Sequence, residues 1–400
     1  MTEGSMISGY VKPGFEAVQD TFIENFELRN ELGAACCVYY KGEKVVDLWG
    51  GIRNEATGEP WEEDTMVLVW STTKGLSALT MALAHSRGLF DYDEPVSKYW
   101  PEFAQHGKEN ITIRQLFAHQ AGLVAFDELG DKKIIADQDR LAEVLARQKP
   151  AWEPGTRHGY HALTLGFYQS EILRRVDPKG RSLGQYFQDE IANPLGLDFY
   201  IRLPENIPNS RLAVPRAPKF GISSMRTAPA RFILAAMNPR SLARRSLVGT
   251  EFCLDENRIY ARNYEVPSGG GVGTARAIAH AYGVFASAGK ELGVREETLQ
   301  ELKAPPRAPL NGFRDVALKI DTCYSLGFSR SLPKDPFRPP SAYGMPGTGG
   351  SFGFADPQHE IGYGYVLNGF GTAFPTDPKS NALCSAMYRS ICETDLYSDF

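Results

Sequence analysis

MVLVW-STTKGLSALTMALAHSRG, residues 66–88, decides how the rest of the chain is read. Residues 66–70 form an apolar, β-rich run, and the pattern then changes at Ser71. Leu76, Leu79, Met81, Ala82 and Leu83 recur at helical spacing, and Gly88 supplies the stop. A strand therefore feeds a helix at Ser71. Ser71 and Lys74, three residues apart, share one face of the first turn. The positive end of the helix dipole favours an alkoxide on serine and a neutral amine on lysine. A desolvated lysine of lowered pKa can take a serine proton, which a hydrated one cannot do at neutral pH. On this motif alone the alternative stays open: an N-cap serine followed by a solvated lysine.

The same S-x-x-K spacing also occurs at Ser287–Lys290 and Ser331–Lys334. Ser287 stands before Gly289 at a helix end and Ser331 before Pro333, so neither holds its lysine beside it on a helix. A rival nucleophile is Ser351 in Gly349-Gly350-Ser351-Phe352-Gly353, which satisfies G-x-S-x-G. That motif needs a following helix and then an acid and a histidine. FADPQHEIGYGYV reads instead as strand-turn-strand, and His359 lies only eight residues on. Ser351 is set aside, and its glycines read as a closely packed edge.

Working outward, residues 34–52 read as two strands joined at Lys41-Gly42, and the region to about 255 as mostly helical. Thr112 is placed to cap ITIRQLFAH, with further helices over 162–176 and 183–193. Segment 203–260, dense in Pro and Arg, reads as irregular surface structure that could cover a pocket. SGGGVGT, 268–274, opens a helix over 275–288. With no strand just before it and no GK[ST], close backbone approach is favoured over nucleotide binding. Strands on either side of Asp356-Pro357 and a helix over 378–392 close the chain. This order predicts one α/β lobe from residues 1–70 and 261–400, a mostly helical lobe from 71–260, and an active site between them.

The chain has 400 residues and a net charge of −5, with 42% hydrophobic and 23% charged residues. It carries no electrostatic footprint for nucleic acid or an anionic membrane. Basic residues cluster only briefly, at 240–245 (RSLARR), which reads as a solvated helix face. No apolar run approaches the roughly 20 residues that span a bilayer. The N-terminal residues lack a signal pattern. The six cysteines show no zinc spacing, and adjacent Cys36 and Cys37 read as small buried hydrophobes. Reduced thiols and a cytoplasmic location are the expectation; oligomeric state is not legible.

Residues 71–103 and 111–123, then WEPGTRHGYHALTLG, PSGGGVGTARAIAHAYGVFASAG and YGMPGTGGSFGFADP, resemble the serine β-lactamase-related superfamily. The resemblance is to its class C branch, nearest in character to family VIII carboxylesterases, and it runs through most of the chain in order. It implies a β-lactamase/penicillin-binding-protein-like fold, α/β plus α: an antiparallel sheet flanked by helices, with an inserted helical lobe. It implies Ser71 as nucleophile, Lys74 as proton acceptor and Tyr160 as a partner base whose phenol gives up its proton readily. Met345-Pro346-Gly347 matches the third motif, and the N–H groups of Thr348 and Ser71 would form the oxyanion hole, worth about 3 kcal/mol per donor.

Two departures bear on substrate. β-Lactamases usually carry lysine at the Met345 position, and many carry asparagine at the Ala162 position. Losing a charged contact to a carboxylate costs on the order of 2 kcal/mol, which points away from lactams and toward neutral esters. Met345, Gly347 and Ala162 are the expected substrate-binding positions, with a small-molecule ester as substrate, no nucleic acid or membrane partner, and no metal or organic cofactor. His119 reads as a packing residue; His158 and His161 flank Tyr160 and could line the pocket. A lactamase or peptidase, an acyltransferase and a non-catalytic scaffold of the same fold remain as alternatives.

Overall fold

A computed structural model describes residues 7–127, 132–216, 229–255, 259–332, 338–371 and 377–398. Its main sheet joins both ends of the chain. In spatial order the strands are Ile7–Val11, Glu43–Asn54, Gly33–Tyr40, Ile361–Leu367, Phe352–Asp356, Tyr343–Pro346, Phe328–Arg330 and Tyr324–Ser325, every pair antiparallel. The Lys41-Gly42 hairpin joins the second and third of these, as its turn residues predict.

Helices cover both faces, which is why strands such as Ile361–Leu367 are buried along their whole length. Helices Glu16–Leu28 and Pro378–Ser398 lie on one face, where Phe22, Cys36, Val38, Phe354, Tyr363, Tyr365 and Met387 share a core. Helix Ala275–Ala286 lies on the other. Gly362 and Gly364 make that contact possible: a Cβ on either would stand 2.2 and 2.3 Å from the carbonyl oxygens of Ala279 and Ala275. The intervening tyrosines point to the opposite face, so one strand serves two layers by its period of two.

Beneath that layer runs helix Thr72–Ser86, with all but His85 buried. A helix hidden on all sides must satisfy its polar side chains internally. Thr73 Oγ1 donates to Trp70 O and accepts from Gly271 N, Ser77 Oγ donates to Pro267 O, and Thr80 Oγ1 to Leu76 O. Gly88, at φ 75°, follows the helix end as the sequence predicts.

Several sequence expectations are redrawn. Among the described residues no strand immediately precedes the glycine-rich segment, as expected, but Val272–Gly273 within it forms a two-residue strand paired with Val67–Leu68 and Phe199–Tyr200. Thr274 caps helix Ala275–Ala286 through Ala277 N, taking one of the N–H groups that a phosphate would need. The expected helix 162–176 starts at Thr164, and that over 183–193 breaks into Leu183–Phe187, a π turn Gln188–Ala192 and Asn193–Leu195. Thr112 caps Ile113–Phe117 with Gln115 completing a capping box. Within 203–260 the chain forms helices Ala230–Met237 and Leu242–Ser246 and a small hairpin, Leu254–Asp255 with Ile259–Tyr260. Residues 217–228 and 256–258 of that segment lie outside the described residues. Cys36 and Cys37 are fully buried, and no helix among the described residues is long and apolar enough to cross a membrane.

Candidate active site

Strand Val67–Leu68 turns into helix Thr72–Ser86 through Trp70, whose φ is 49°. A bulky residue at positive φ is a backbone outlier, held here by hydrogen bonds on each side. Val69 N donates to Gly271 O, Val69 O accepts from Thr72 N and Ser351 Oγ, and Trp70 O accepts from Thr73. Ser71 emerges from this turn at the N-cap position, yet its side chain makes no capping bond. The N-cap alternative fails on that point and again at Lys74, which is completely buried.

Lys74 Nζ lies 3.2 Å from Ser71 Oγ, 2.7 Å from Ala162 O and 2.8 Å from Ser268 O. Among the described residues no carboxylate forms an ion pair with it. Burial therefore dominates and lowers its pKa to about 7. As a neutral amine it has two N–H bonds for the two carbonyls and a lone pair left for the Ser71 hydroxyl. Ser268 is a contributor that sequence reading missed. Its side chain accepts from Gly166 N, so the glycine-rich segment is tied to helix Thr164–Val176 while the Ser268 carbonyl holds the lysine.

Tyr160 Oη lies 2.7 Å from Ser71 Oγ and donates to it; Lys74 Nζ stands 4.8 Å from the centre of its ring. The expectation of an easily lost phenol proton is corrected. Burial pushes the Tyr160 pKa up, and Asp315 adds to the rise. Only one ammonium-type group, Lys74, is near it among the described residues, because the third-motif position is Met345.

The three neighbouring histidines are neutral, with burial lowering His158 to about 4, His161 to about 3 and His119 well below its usual value. Their tautomers follow from their partners. His161 Nε2 accepts from Leu123 N, so its proton sits on Nδ1 and is donated to His119 Nδ1, 3.0 Å away. His119 thus carries its proton on Nε2, 4.4 Å (ring to ring) from Tyr324. These two rings pack behind Tyr160.

Strand Tyr343–Pro346 brings the third motif to the same corner. A Cβ on Gly347 would fall 2.2 Å from Ser351 Oγ, 2.3 Å from Val69 O and 2.8 Å from Thr72 Oγ1. Ser351 Oγ is 2.7 Å from Val69 O and 3.2 Å from Thr72 Oγ1, so the rival serine clips loop 347–351 onto the turn that presents Ser71. A strand follows Ser351, as predicted. Thr348 lines a small hollow with Trp70, Gly349 and Phe370. Met345 is buried against the helix at Gly75, and Ala162 is buried with its carbonyl on Lys74. Ser287 and Lys290 lie apart at a helix end; Lys334 lies outside the described residues. No three His, Cys, Asp or Glu converge on a metal-sized site among the described residues.

A serine hydroxyl thus stands between a buried amine and a phenol, at the start of a helix enclosed by sheet and helices. The chain belongs to the β-lactamase family, whose model matches residues 19–383. It is 31% identical over 374 residues to the esterase/β-lactamase LipL of Mycobacterium tuberculosis, covering 91% of this chain and 83% of that one. A family VIII carboxylesterase of known structure superposes with a TM-score of 0.80 at 35% identity, covering 96% of this chain and 100% of the other. EstA from Arthrobacter nitroguajacolicus gives 0.82 at 30% identity, covering 97% and 99%.

Proposed function

We propose that this protein is a carboxylesterase working through an acyl-enzyme on Ser71. The observation that carries the reading is the Ser71 hydroxyl, 3.2 Å from a fully buried Lys74 amine and 2.7 Å from the Tyr160 phenol. Ser71 Oγ attacks the ester carbonyl as its proton passes to the Lys74 lone pair. The leaving alkoxide takes the Tyr160 proton, and the Lys74 ammonium restores it. Water then attacks the acyl-enzyme by the reverse relay, releasing the acid and regenerating Ser71. The N–H groups of Ser71 and Thr348 are the oxyanion donors of this reading, supported by the Ser351 clip that fixes both loops together.

Neutral esters suit a site with methionine and alanine where lactam-binding relatives carry lysine and asparagine. The relatives named esterases support the same class. The name of the Mycobacterium tuberculosis relative covers lactams as well, so a lactamase activity is the second reading. The test is a panel of p-nitrophenyl esters of varied acyl length against wild type, Ser71→Ala and Lys74→Ala, with nitrocefin alongside. Esterase activity abolished in both variants supports the reading. Activity retained in Ser71→Ala overturns it, and nitrocefin turnover equal to ester turnover transfers it to lactams.

A further inference from the structure

Tyr160 belongs to no helix or strand, yet its oxygen is held at hydrogen-bond distance from Ser71. Its backbone N–H is hydrogen-bonded to a carboxylate that does not touch Ser71 or Lys74. Asp315 is completely buried in the turn before strand Tyr324–Ser325. Its Oδ1 accepts from Ala317 N and Leu318 N, both at 2.8 Å, and closes its own turn. Its Oδ2 points the other way, accepting from Tyr160 N at 3.0 Å and Thr322 Oγ1 at 3.2 Å. His158 extends the arrangement: its carbonyl accepts from Val316 N, and its Nε2 donates to Thr322 Oγ1 at 2.9 Å.

We propose that Asp315 is the positioning residue of Tyr160, its Oδ2 anchoring the tyrosine backbone so that the phenol stays on Ser71. The inference rests on Tyr160 acting in the ester-cleaving relay. Each carboxylate oxygen plays a separate part, and only a carboxylate can play both, because four donors converge on it. An amide supplies one acceptor oxygen. Turned to keep the Ala317 and Leu318 bonds, it presents an N–H group to the Tyr160 N–H, donor against donor. Burial raises the Asp315 pKa to about 6, which still leaves it ionised and accepting above neutrality. The amides on either side of Tyr160 are anchored elsewhere, Gly159 N on His119 O and His161 N on His119 Nδ1, so the tyrosine amide itself depends on Asp315.

A double-mutant cycle on p-nitrophenyl ester hydrolysis tests this, using Asp315→Asn, Tyr160→Phe and the pair, with thermal melts of each. Asp315→Asn is expected to lower kcat about 30-fold with KM nearly unchanged, as sub-ångström misplacement of a reacting group does. In the Tyr160→Phe background the same substitution is expected to lower kcat less than about threefold, since no phenol remains to be positioned. Thr322→Val, which removes one bond to Oδ2, should repeat the pattern at smaller size and serves if Asp315→Asn does not fold. Multiplicative losses in the cycle, or a rise in KM with kcat unchanged, would overturn the proposal while leaving the esterase reading intact. Failure of a fluorophosphonate probe to label wild-type Ser71 would remove the esterase reading itself, and this inference with it.

Discussion

Lys74→Met should change the pH dependence of stability in a way that follows from the lysine's burial. Folded Lys74 has a pKa of about 7 against 10.5 for the ordinary group. The gap, about 3.5 pH units at about 1.36 kcal/mol each, makes the lysine destabilising by about 5 kcal/mol at pH 7 and below. The sign follows from proton counts. Between pH 7 and 10.5 the unfolded lysine is protonated and the folded one is not, so the unfolded state binds more protons and stability rises with pH. Below pH 7 both are protonated and the penalty is constant; above 10.5 it vanishes. Methionine fills the same stem volume without charge and leaves Ala162 O and Ser268 O without their donor, costing about 1–3 kcal/mol each at every pH.

Urea unfolding of both proteins at pH 7, 8 and 9 isolates this one group, because every other titration is common to the two. The stability of Lys74→Met relative to wild type should fall by about 1 kcal/mol from pH 7 to 8, where folded Lys74 is still losing its proton, and slightly more from pH 8 to 9. In parallel, wild-type kcat/KM on a p-nitrophenyl ester should rise through about pH 7 and level off as the amine loses its proton. Stability curves that run parallel from pH 7 to 9 would refute the argument that burial holds the amine neutral.

Tyr160→Phe keeps the ring contacts with His119 and Tyr324 but removes the 2.7 Å bond to Ser71; kcat should fall about 100-fold with the melting temperature nearly unchanged. Gly347→Val places carbon against Val69 O and Ser351 Oγ, so initial rates should drop about 100-fold and stability by about 1–3 kcal/mol, read by esterase assay and urea melt. Ampicillin should compete poorly with ester hydrolysis, since Met345 is buried and uncharged; a micromolar inhibition constant would contradict the ester preference.

The order of strands and helices was legible because the hydrophobic periods are clean: GYGYV alternates, and 76–83 does not. The Ser71–Lys74 pair was legible for the same reason, since helix spacing brings the two side chains together without help from the rest of the chain. Tyr160 came only through family resemblance, because GYHA lies in irregular chain where spacing carries no geometry. Ser268 and Asp315 were illegible. One acts through a backbone carbonyl, which every residue has, and the other through a contact 155 positions away. The direction of the Tyr160 pKa is not legible in sequence because burial at that site depends on His119 and Tyr324, both brought in from elsewhere in the chain. Helix Ala230–Met237 was missed because the Pro and Arg around it masked a run of good helix formers.

Several rule-breaking features of this chain meet at one place. Trp70 stands at φ 49° and His119 at φ 61°, Lys74 is buried without a carboxylate, and Asp315 is buried among donors with no cation bonded to it among the described residues. Each is unfavourable alone, by about 1–3 kcal/mol for the backbone strains and more for the lysine. They persist because their neighbours leave no relaxed alternative: Ser351 and Thr73 grip the Trp70 turn, two carbonyls grip the amine, and four donors grip the carboxylate. Relaxing any one strain would move Ser71, Lys74 or Tyr160, whose relative placement is what the proposed hydrolysis requires. The two cores packed on the sheet supply the stability that lets this corner remain strained, and that division of labour explains why the Ser71 helix is buried on nearly every side.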